Sequence, residues 1–581
     1  MRLLSWPKKP AGPGSEEAAA ETASHTTTDR GDPVACDGDN GGDDDDDGDR
    51  DEKNLHVAQS VFSAMPLRKK IMTMAALSLS VFIGSLEQTI VAGAIPSIGE
   101  GLGALDSISW ISTSFLLAST AMQPLYGRLS DIFGRIEVLV SGLLVFLAGS
   151  AVCGAAHSMG MLIGGRVVQG LGASALISLV MVIVSDISIE RERAKITGVF
   201  AGIWALSSVL GPVLGGVFSE SRGGWPWVFY FSLPVGGVAG VCIVLFLRLP
   251  RPAGSFAAKL RRIDFAGMAV LVGAVVMILL ALSFGGRQHP WASPTVLCLL
   301  LFGVAALGLF ALVEWKVPAE PILPLRLFRS RNVGVVLVQQ ALMGALLFGP
   351  PFHIPLFFSV VQNSSSIGAS LHLLPFLLPI ALMSTVVGFA VSKTGRYREF
   401  IWAGSAIATA GAGLLVLLDQ DVTLGKSIGL MVVSGIGLGI LMQPQLLCLQ
   451  TAIQGRDVAV GTTLYVALRS LGGGIGLAVF QSVMQNQLAK GLVAVYAAFP
   501  ADAAIIDAAI RNQAAIHAPG VPDALRDALI AAYVKALRAV FYSLIPFGGL
   551  MFVLSLSLRH IPLRTKMATI HREPDSGTKD R

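Results

Sequence analysis

Charge is what this chain of 581 residues lacks: 14% of its residues are Asp, Glu, Lys or Arg, against 53% hydrophobic, with a mean hydropathy of +0.67. A soluble globular chain carries nearer about a quarter charged residues, so the composition excludes that class and places the protein in a bilayer. Cysteine is also scarce. Cys36 lies in a polar N-terminal segment, and Cys153, Cys242, Cys298 and Cys448 fall in apolar stretches without C-x-x-C spacing, which excludes a disulfide framework and a zinc site. Met1-Arg2-Leu3-Leu4-Ser5-Trp6-Pro7 is followed by polar sequence rather than an apolar signal core, so the first spanning helix is expected to direct insertion. A nucleotide loop is missing as well: Gly425-Lys426-Ser427 imitates its end, but Gln420 stands where the first glycine is required. No cofactor and no metal are expected, and the energy source is expected to be a proton gradient rather than ATP.

What charge there is has a pattern. Positions 1–65 hold fifteen acidic and six basic residues, a net of −9, which leaves about +14 for the rest of a chain whose formal charge is +5. The acidic segment, with Asp43 to Asp47 followed by Asp49, Asp51 and Glu52, reads as a disordered cytoplasmic tail without the spacing of a calcium-binding loop. Beyond it, apolar stretches near 71–96, 108–127, 138–156, 161–184, 195–218, 227–247, 265–284, 295–315, 333–361, 370–391, 401–418, 428–449, 461–484 and 536–558 are each long enough to cross the hydrocarbon core as a helix. Basic residues gather in alternate loops: Arg128 and Arg135; Arg191, Arg193 and Lys195; Arg248 to Arg262; Lys316 to Arg331; Lys393 to Arg398. Positive charge marks the cytoplasmic side, so an all-α membrane protein of fourteen spans with both termini cytoplasmic is expected. The basic residues sit in short loops rather than on one surface, so a nucleic-acid partner is not.

Two matches at a constant offset of 261 point to an internal repeat. Gly127, Asp131, Gly134 and Arg135 align with Gly388, Ser392, Gly395 and Arg396, and the pair Gly211 and Gly215 aligns with Gly472 and Gly476. The expected organisation is a tail over 1–65, a six-helix half over 66–247, an inserted helix pair with linkers over 248–332, a second six-helix half over 333–558 with a partly helical external loop near 485–535, and a cytoplasmic tail over 559–581. Asn363-Ser364-Ser365 is a glycosylation sequon on the expected outer side, close to the membrane.

Four motifs carry a family resemblance. Gly127-Arg128-Leu129-Ser130-Asp131-Ile132-Phe133-Gly134-Arg135 resembles the G-x-L-x-D-x-x-G-R loop of the major facilitator superfamily. Leu86-Glu87-Gln88-Thr89-Ile90-Val91-Ala92-Gly93-Ala94-Ile95-Pro96 resembles the first-helix motif of its fourteen-span drug:proton antiporters. Gly165-Arg166-Val167-Val168-Gln169-Gly170 resembles their R-x-x-Q-G motif, and Leu210-Gly211-Pro212-Val213-Leu214-Gly215-Gly216, followed by Trp225 to Pro234, resembles their fifth-helix exporter motif and the run after it. The chain departs from the pattern at Glu87, where Asp is usual, at Ile136, where a basic residue is usual, and at Pro226 and Ser232. The resemblance implies a major facilitator fold of six, two and six helices and a protein similar to fungal-type toxin and multidrug efflux pumps. It also implies alternating access, with a small-molecule substrate and protons as partners, a monomer in the lipid bilayer, and no enzymatic activity. The cell membrane is the expected location, with the vacuolar membrane as the alternative. Uptake of an iron chelate, vacuolar transport of basic amino acids and a transporter-like sensor are the rival functions.

Read as chemistry, Glu87 is a carboxylate expected in mid-helix, where burial penalises the charged form, and so is a candidate proton carrier. Arg166 keeps its charge and can sense that carboxylate or attract an anion. Gly127 and Gly134 permit a close approach and an unusual backbone angle, and Asp131 with Arg135 forms a candidate cytoplasmic gate. Gly211, Pro212, Gly215 and Gly216 clear one face of a helix expected to pack between the two halves. Gln169, His353, His372 and Arg469 are further candidate cavity residues.

Overall fold

The computed structural model describes residues 65–563 except 103–108, 222–223, 253, 287, 317–320, 365, 454–456 and 512. The acidic tail over 1–64, with Cys36, and most of the expected C-terminal tail lie outside the described residues. The ordered elements are helices, because a bilayer offers backbone groups no partners and only a helix satisfies its own. The long ones are α1 (Leu67–Leu86), α2 (Ile90–Leu102), α3 (Ser109–Phe133), α4 (Arg135–Gly154), α5 (Met159–Ile187), α6 (Glu190–Glu220), α7 (Ser232–Phe246), α8 (Phe265–Phe284) and α9 (Pro294–Lys316). They are followed by α10 (Arg331–Gln362), α11 (Leu374–Thr394), α12 (Tyr397–Leu415), α13 (Leu424–Thr451), α14 (Val458–Ala498) and α15 (Asp523–Ser555).

Among the described residues, twelve helices are long and apolar enough to cross a membrane. The sequence pattern reads fourteen spans. The two it adds are α3 and α12, which are 25 and 19 residues long but less apolar. Three expectations change in detail. The first apolar stretch is not one helix: Glu87 closes α1 and the chain turns before Ile90 opens α2, so the carboxylate sits at a break and not in mid-helix. The stretch expected to end at residue 484 runs on as α14 to Ala498, and α15 begins at Asp523, ahead of the expected 536. The connection between them is therefore shorter, carrying a short helix Ala503–Arg511 and 3-10 turns at Pro500–Asp502 and Gln513–His517.

Helices α4 and α5 pack closely, as do α12 and α13, and α10 against both α14 and α15. The largest contacts between the earlier helices and the later ones are α6 on α11 and α3 on α14. Small residues set both. A Cβ on Gly127 would fall 2.4 Å from Thr463 Oγ1 and 3.1 Å from the carbonyl of Ala459, while one on Gly388 would fall 2.3 Å from the carbonyl of Ala194 and 3.6 Å from Gly198 Cα. The offset of 261 that relates Gly127 to Gly388 also relates Gly198 to Ala459, so the two contacts exchange as a two-fold repeat would exchange them. The second glycine match holds only at the level of the helices, since its partner residues are not related by 261. Gly211 and Gly215 seat α6 on α2, whereas Gly472 and Gly476 seat α14 on α10, with Cβ positions 2.0 Å from the Ala341 carbonyl and 2.4 Å from Ala345 Cβ.

Close helix approach in lipid relies on such small residues, since lipid removes the hydrophobic drive between helices. Gly388→Leu should therefore part α11 from α6 and destabilise the protein by about 1–3 kcal/mol. Gly413→Leu on α12, where nothing lies within 4 Å of an added Cβ, should be nearly neutral. Thermal unfolding of the purified variants checks this, and equal effects at both positions would contradict it.

Candidate functional site

The break between α1 and α2 builds the first site. The Glu87 amide still donates to the Ile83 carbonyl at 3.1 Å, and the Gln88 and Thr89 amides tighten the end of the helix by bonding to Ser85 and Leu86. Thr89 Oγ1 donates to the Leu86 carbonyl at 3.2 Å and reaches the Ser207 carbonyl on α6 at 3.5 Å. Gly211 and Gly215 make room for this turn: added Cβ atoms would sit 2.0 Å from Thr89 Oγ1 and 2.0 Å from the Ile90 carbonyl. In return, a Cβ on Gly93 would lie 2.2 Å from the Pro212 carbonyl and 2.7 Å from the Gly216 nitrogen. The glycine-proline motif thus packs α6 on α2, among the earlier helices. The sequence pattern leads to the expectation of an interface between halves instead, because bare glycines show that a face is open and not which helix covers it; at the contact of α6 with α11 stand Gly198 and Gly388.

Glu87 and Arg166 are each 1% exposed and paired, with Arg166 Nη1 donating to Glu87 Oε1 at 2.9 Å. The guanidinium is nearly saturated. Nη1 also donates to Gln169 Oε1 at 2.6 Å, Nε to the Ile111 carbonyl at 3.0 Å, and Nη2 to the Glu87 carbonyl at 3.4 Å. Gln169 Nε2 in turn donates to Ser150 Oγ at 2.8 Å. The cation stands 4.2 Å from the ring centre of Phe115 and 5.8 Å from that of Phe229. Arg166 and Gln169 reach one group because positions three apart share a helix face. Ser150, Phe115 and the Ile111 carbonyl were not legible: an apolar helix gives no sign of which serine or ring meets a distant arginine.

The second cluster lies at the α3–α4 corner. Gly134 has φ +114°, a conformation only glycine adopts freely, and Arg135 opens α4 directly after it. Arg135 pairs with Asp131, donates through Nη1 to Ser130 Oγ at 2.6 Å, and donates through Nε to Asp186 Oδ2 at 2.8 Å. Asp186, on α5, was missed by the motif, which covers one loop only. Further polar contacts link earlier helices to later ones beside it: Arg193 Nη1 to Gln450 Oε1 at 3.1 Å, Gln443 Nε2 to the Thr197 carbonyl at 2.8 Å, and Thr385 Oγ1 to the Gly198 carbonyl at 3.0 Å. Arg193 had been read only as a topological charge.

The remaining candidates are scattered. His353 is buried, with Nδ1 against the Gly349 carbonyl at 2.8 Å and its ring edge-on to Phe480. His372 stacks on Phe358 at 4.3 Å between ring centres. Arg469 Nη1 lies 3.6 Å from Met442 Sδ. Asn363 is exposed and closes α10 in the left-handed region at φ +48°, a role for which asparagine is suited; Ser365 of its sequon lies outside the described residues.

The chain has counterparts among known proteins. Residues 77–477 match the model of the Major Facilitator Superfamily. The chain belongs to that family of membrane transporters. It is 36% identical over 510 residues to "Efflux pump dotC" of Dothistroma septosporum, covering 87% of this chain and 86% of that protein. It is 32% identical over 498 residues to "MFS-type efflux pump LUC4" of Fusarium sp, covering 85% and 88% respectively. Among solved structures, the human organic anion transporter MFSD10 superposes with a TM-score of 0.55 at 16% identity, over 85% of this chain and 100% of that one, a likeness of fold alone. The protein is a multi-pass membrane protein of this superfamily.

The buried pair generates a stability prediction. Arg166→Ala leaves the Glu87 carboxylate buried without its cation and should destabilise the protein by about 3–5 kcal/mol, whereas adding Glu87→Gln should restore part of that loss. A double-mutant cycle on thermal unfolding measures it. Strict additivity of the two changes would show that the side chains do not interact.

Proposed function

We propose that this transporter exports small organic molecules in exchange for protons by alternating access, with fourteen spans and both termini in the cytoplasm. The cell membrane is the proposed location and the monomer the working unit. The observation that carries the reading is the buried Glu87–Arg166 pair at the break between α1 and α2. The efflux-pump relatives support the outward direction.

Glu87 is the proposed proton carrier. When a proton arrives on its carboxyl, Arg166 loses an ionic partner but keeps the Gln169 side chain and the Ile111 and Glu87 carbonyls as acceptors. The cation is not stranded, so the neutral and ionised states of Glu87 both lie within reach. The turn at Glu87–Thr89 is a natural place for α1 and α2 to bend relative to each other, and the seat that Gly211 and Gly215 provide on α6 passes that movement down the helix. The other end of α6 carries Arg193, Thr197 and Gly198, which touch Gln450, Gln443 and Thr385. With the basic loops in the cytoplasm, these contacts and the Gly127 approach to α14 close the inner side. Asp131 and Asp186 hold Arg135 as a gate that keeps α3, α4 and α5 together in that state. The proposed organisation is a six-helix half over 66–247, an inserted pair over 248–332 and a second half over 333–558.

The central test uses sealed vesicles containing the purified protein and a metabolite it exports. An imposed pH gradient should drive transport without ATP, and Glu87→Gln should reach the membrane yet lose the response to the gradient by about a hundredfold, a size typical for loss of a proton-transfer group. Arg166→Lys should keep the charge, lose the planar fork and give an intermediate rate. Wild-type, gradient-dependent rates in Glu87→Gln would remove this residue from coupling.

Topology is tested separately. Tags inserted between Arg248 and Arg262 should be reached only from the cytoplasm, and tags near Pro519, between α14 and α15, only from outside. Labelling of both from one side in intact cells would overturn the fourteen-span arrangement.

A further inference from the structure

Arg469 is chemically unlike the other arginines inside the helix bundle. Arg166 has a carboxylate, an amide oxygen and carbonyls; Arg135 has two carboxylates; Arg193 has Gln450 and the Ser185 and Ser188 carbonyls. Arg469, eleven residues into α14, has one side-chain hydrogen-bond contact among the described residues, the Met442 thioether at 3.6 Å, beside Tyr465 one turn earlier, whose hydroxyl donates to the Met442 carbonyl; a thioether is a weak acceptor for one of five donors. A lone guanidinium at such depth is several kcal/mol too costly to leave dry, so it must face water or an anion. Ala459–Ala467, Gly472 and Gly473 are buried, but residues 468–471 are half-buried. The Arg469 backbone packs on α10, while the residue as a whole is partly accessible.

A second orphan stands close by. Met442 and Gln445 lie three apart on α13 and share a face. Gln445 Oε1 accepts from Gln340 Nε2 at 2.7 Å, and Gln445 Nε2 donates to Gln339 Oε1 at 3.3 Å, whose own Nε2 is held by the Met551 carbonyl at 2.9 Å. The amide chain is thereby fixed in one orientation, and it ends in Gln340 Oε1, a buried acceptor with no partner. Gln340 is one turn from Gly344 on α10, whose added Cβ would lie 2.0 Å from the Arg469 carbonyl. An unpaired fork of donors and an unpaired acceptor thus face the same junction of α10, α13 and α14.

We propose that this junction is the substrate's polar anchor and that the exported molecules are organic anions. A planar carboxylate, or an acidic phenol, docks on the Arg469 fork, and a hydroxyl or amide donor of the same molecule meets Gln340 Oε1. The proposal rests on the efflux reading given above. It adds a division of labour: the earlier helices carry a cation already neutralised by Glu87, whereas the later ones keep a cation for the cargo. The position that the repeat offset pairs with Arg469 is Ser208, whose hydroxyl is engaged with the Trp204 carbonyl, so the charge belongs to one half alone.

The test uses cells that make the protein, with its gene deleted and re-supplied as wild type, Arg469→Gln or Arg469→Lys at matched surface levels. Metabolites in cells and medium are compared, and each compound is sorted by retention on an anion-exchange resin at neutral pH. The compounds whose release depends on the wild-type protein should be retained on the resin, and Arg469→Gln should reduce their release at least about tenfold, the factor expected when one charge-assisted pair is lost. Arg469→Lys should recover part of it, because the charge remains and the fork does not. Gln340→Leu should weaken release of the hydroxylated compounds only. If the dependent compounds are neutral or cationic, or if Arg469→Gln releases the anions like wild type, the anchor proposal is wrong while efflux stands. If no compound depends on the gene at all, the efflux reading itself fails and this proposal fails with it.

Discussion

The arrangement depends on one constraint: a carboxylate and a guanidinium have been placed where water cannot reach them, and everything around them exists to make that tolerable. Glu87 alone at 1% exposure would be far too unstable in its ionised form, and so would Arg166. Together, with Gln169, Ser150 and backbone carbonyls supplying further hydrogen bonds, they become a network in which nearly every Arg166 donor has an acceptor. The helix break supplies the decisive piece, because it frees the Glu87 carbonyl to accept from Arg166 Nη2. An uninterrupted helix would have spent that carbonyl on its own ladder.

The glycines explain how the break survives. A turn beside a partner helix needs space, and Gly211 and Gly215 provide it at the carbonyl and hydroxyl of the turn itself. Mobility follows from the same packing. Contacts made through bare backbone are short and numerous but carry no interdigitated side chains, so helices can slide or tilt on them without repacking a core. The repeat places equivalent contacts at α14 on α10, and the crossed pair of Gly127 with Ala459 and Gly388 with Gly198 ties the two sets together. Under the proposed alternating access, the pairs that open and close are these two crossed ones, and the seams inside each set stay shut.

Most of the helical order was legible in the sequence because lipid allows few alternatives: a long apolar run must be a helix, and basic loops must punctuate such runs. The failures are local and share a cause. The first run was read as one helix since Glu87, Gln88 and Thr89 do not break an apolar average, and only the packing of Gly211 on Thr89 shows why the chain turns there. The end of α14 was set too early because polarity was taken to end a helix, yet a helix leaving the membrane can continue into water, as α14 does to Ala498. At the site, residue types were readable and partners were not. Arg166 and Glu87 carry their chemistry in their names, but Asp186, Ser150 and Gln450 are ordinary until the fold brings them to an arginine from 51, 19 and 257 residues away in sequence, or in the case of Ser150 to the glutamine beside one.

Charge is distributed unequally over a backbone that repeats, and under the proposed exchange that inequality separates its two tasks. The crossed contacts, Gly127 with Ala459 and Gly388 with Gly198, obey the offset of 261. Ionisable groups do not. In the proposed mechanism a proton on Glu87 takes the ionic partner from Arg166 but leaves it Gln169 and the Ile111 and Glu87 carbonyls, so this cation stays engaged by its own helices and not by cargo. Arg469 is the reverse, a cation held next to a thioether on a half-buried turn, and in lipid it gains more from an arriving partner than from any residue around it. Under the proposed exchange a proton on Glu87 leaves Arg166 without its counter-charge, so the earlier half becomes charged, whereas an anionic cargo on Arg469 neutralises the later half. Their exchange is then governed by which half can be left charged when the inner contacts at Arg193 and Gln443 let go.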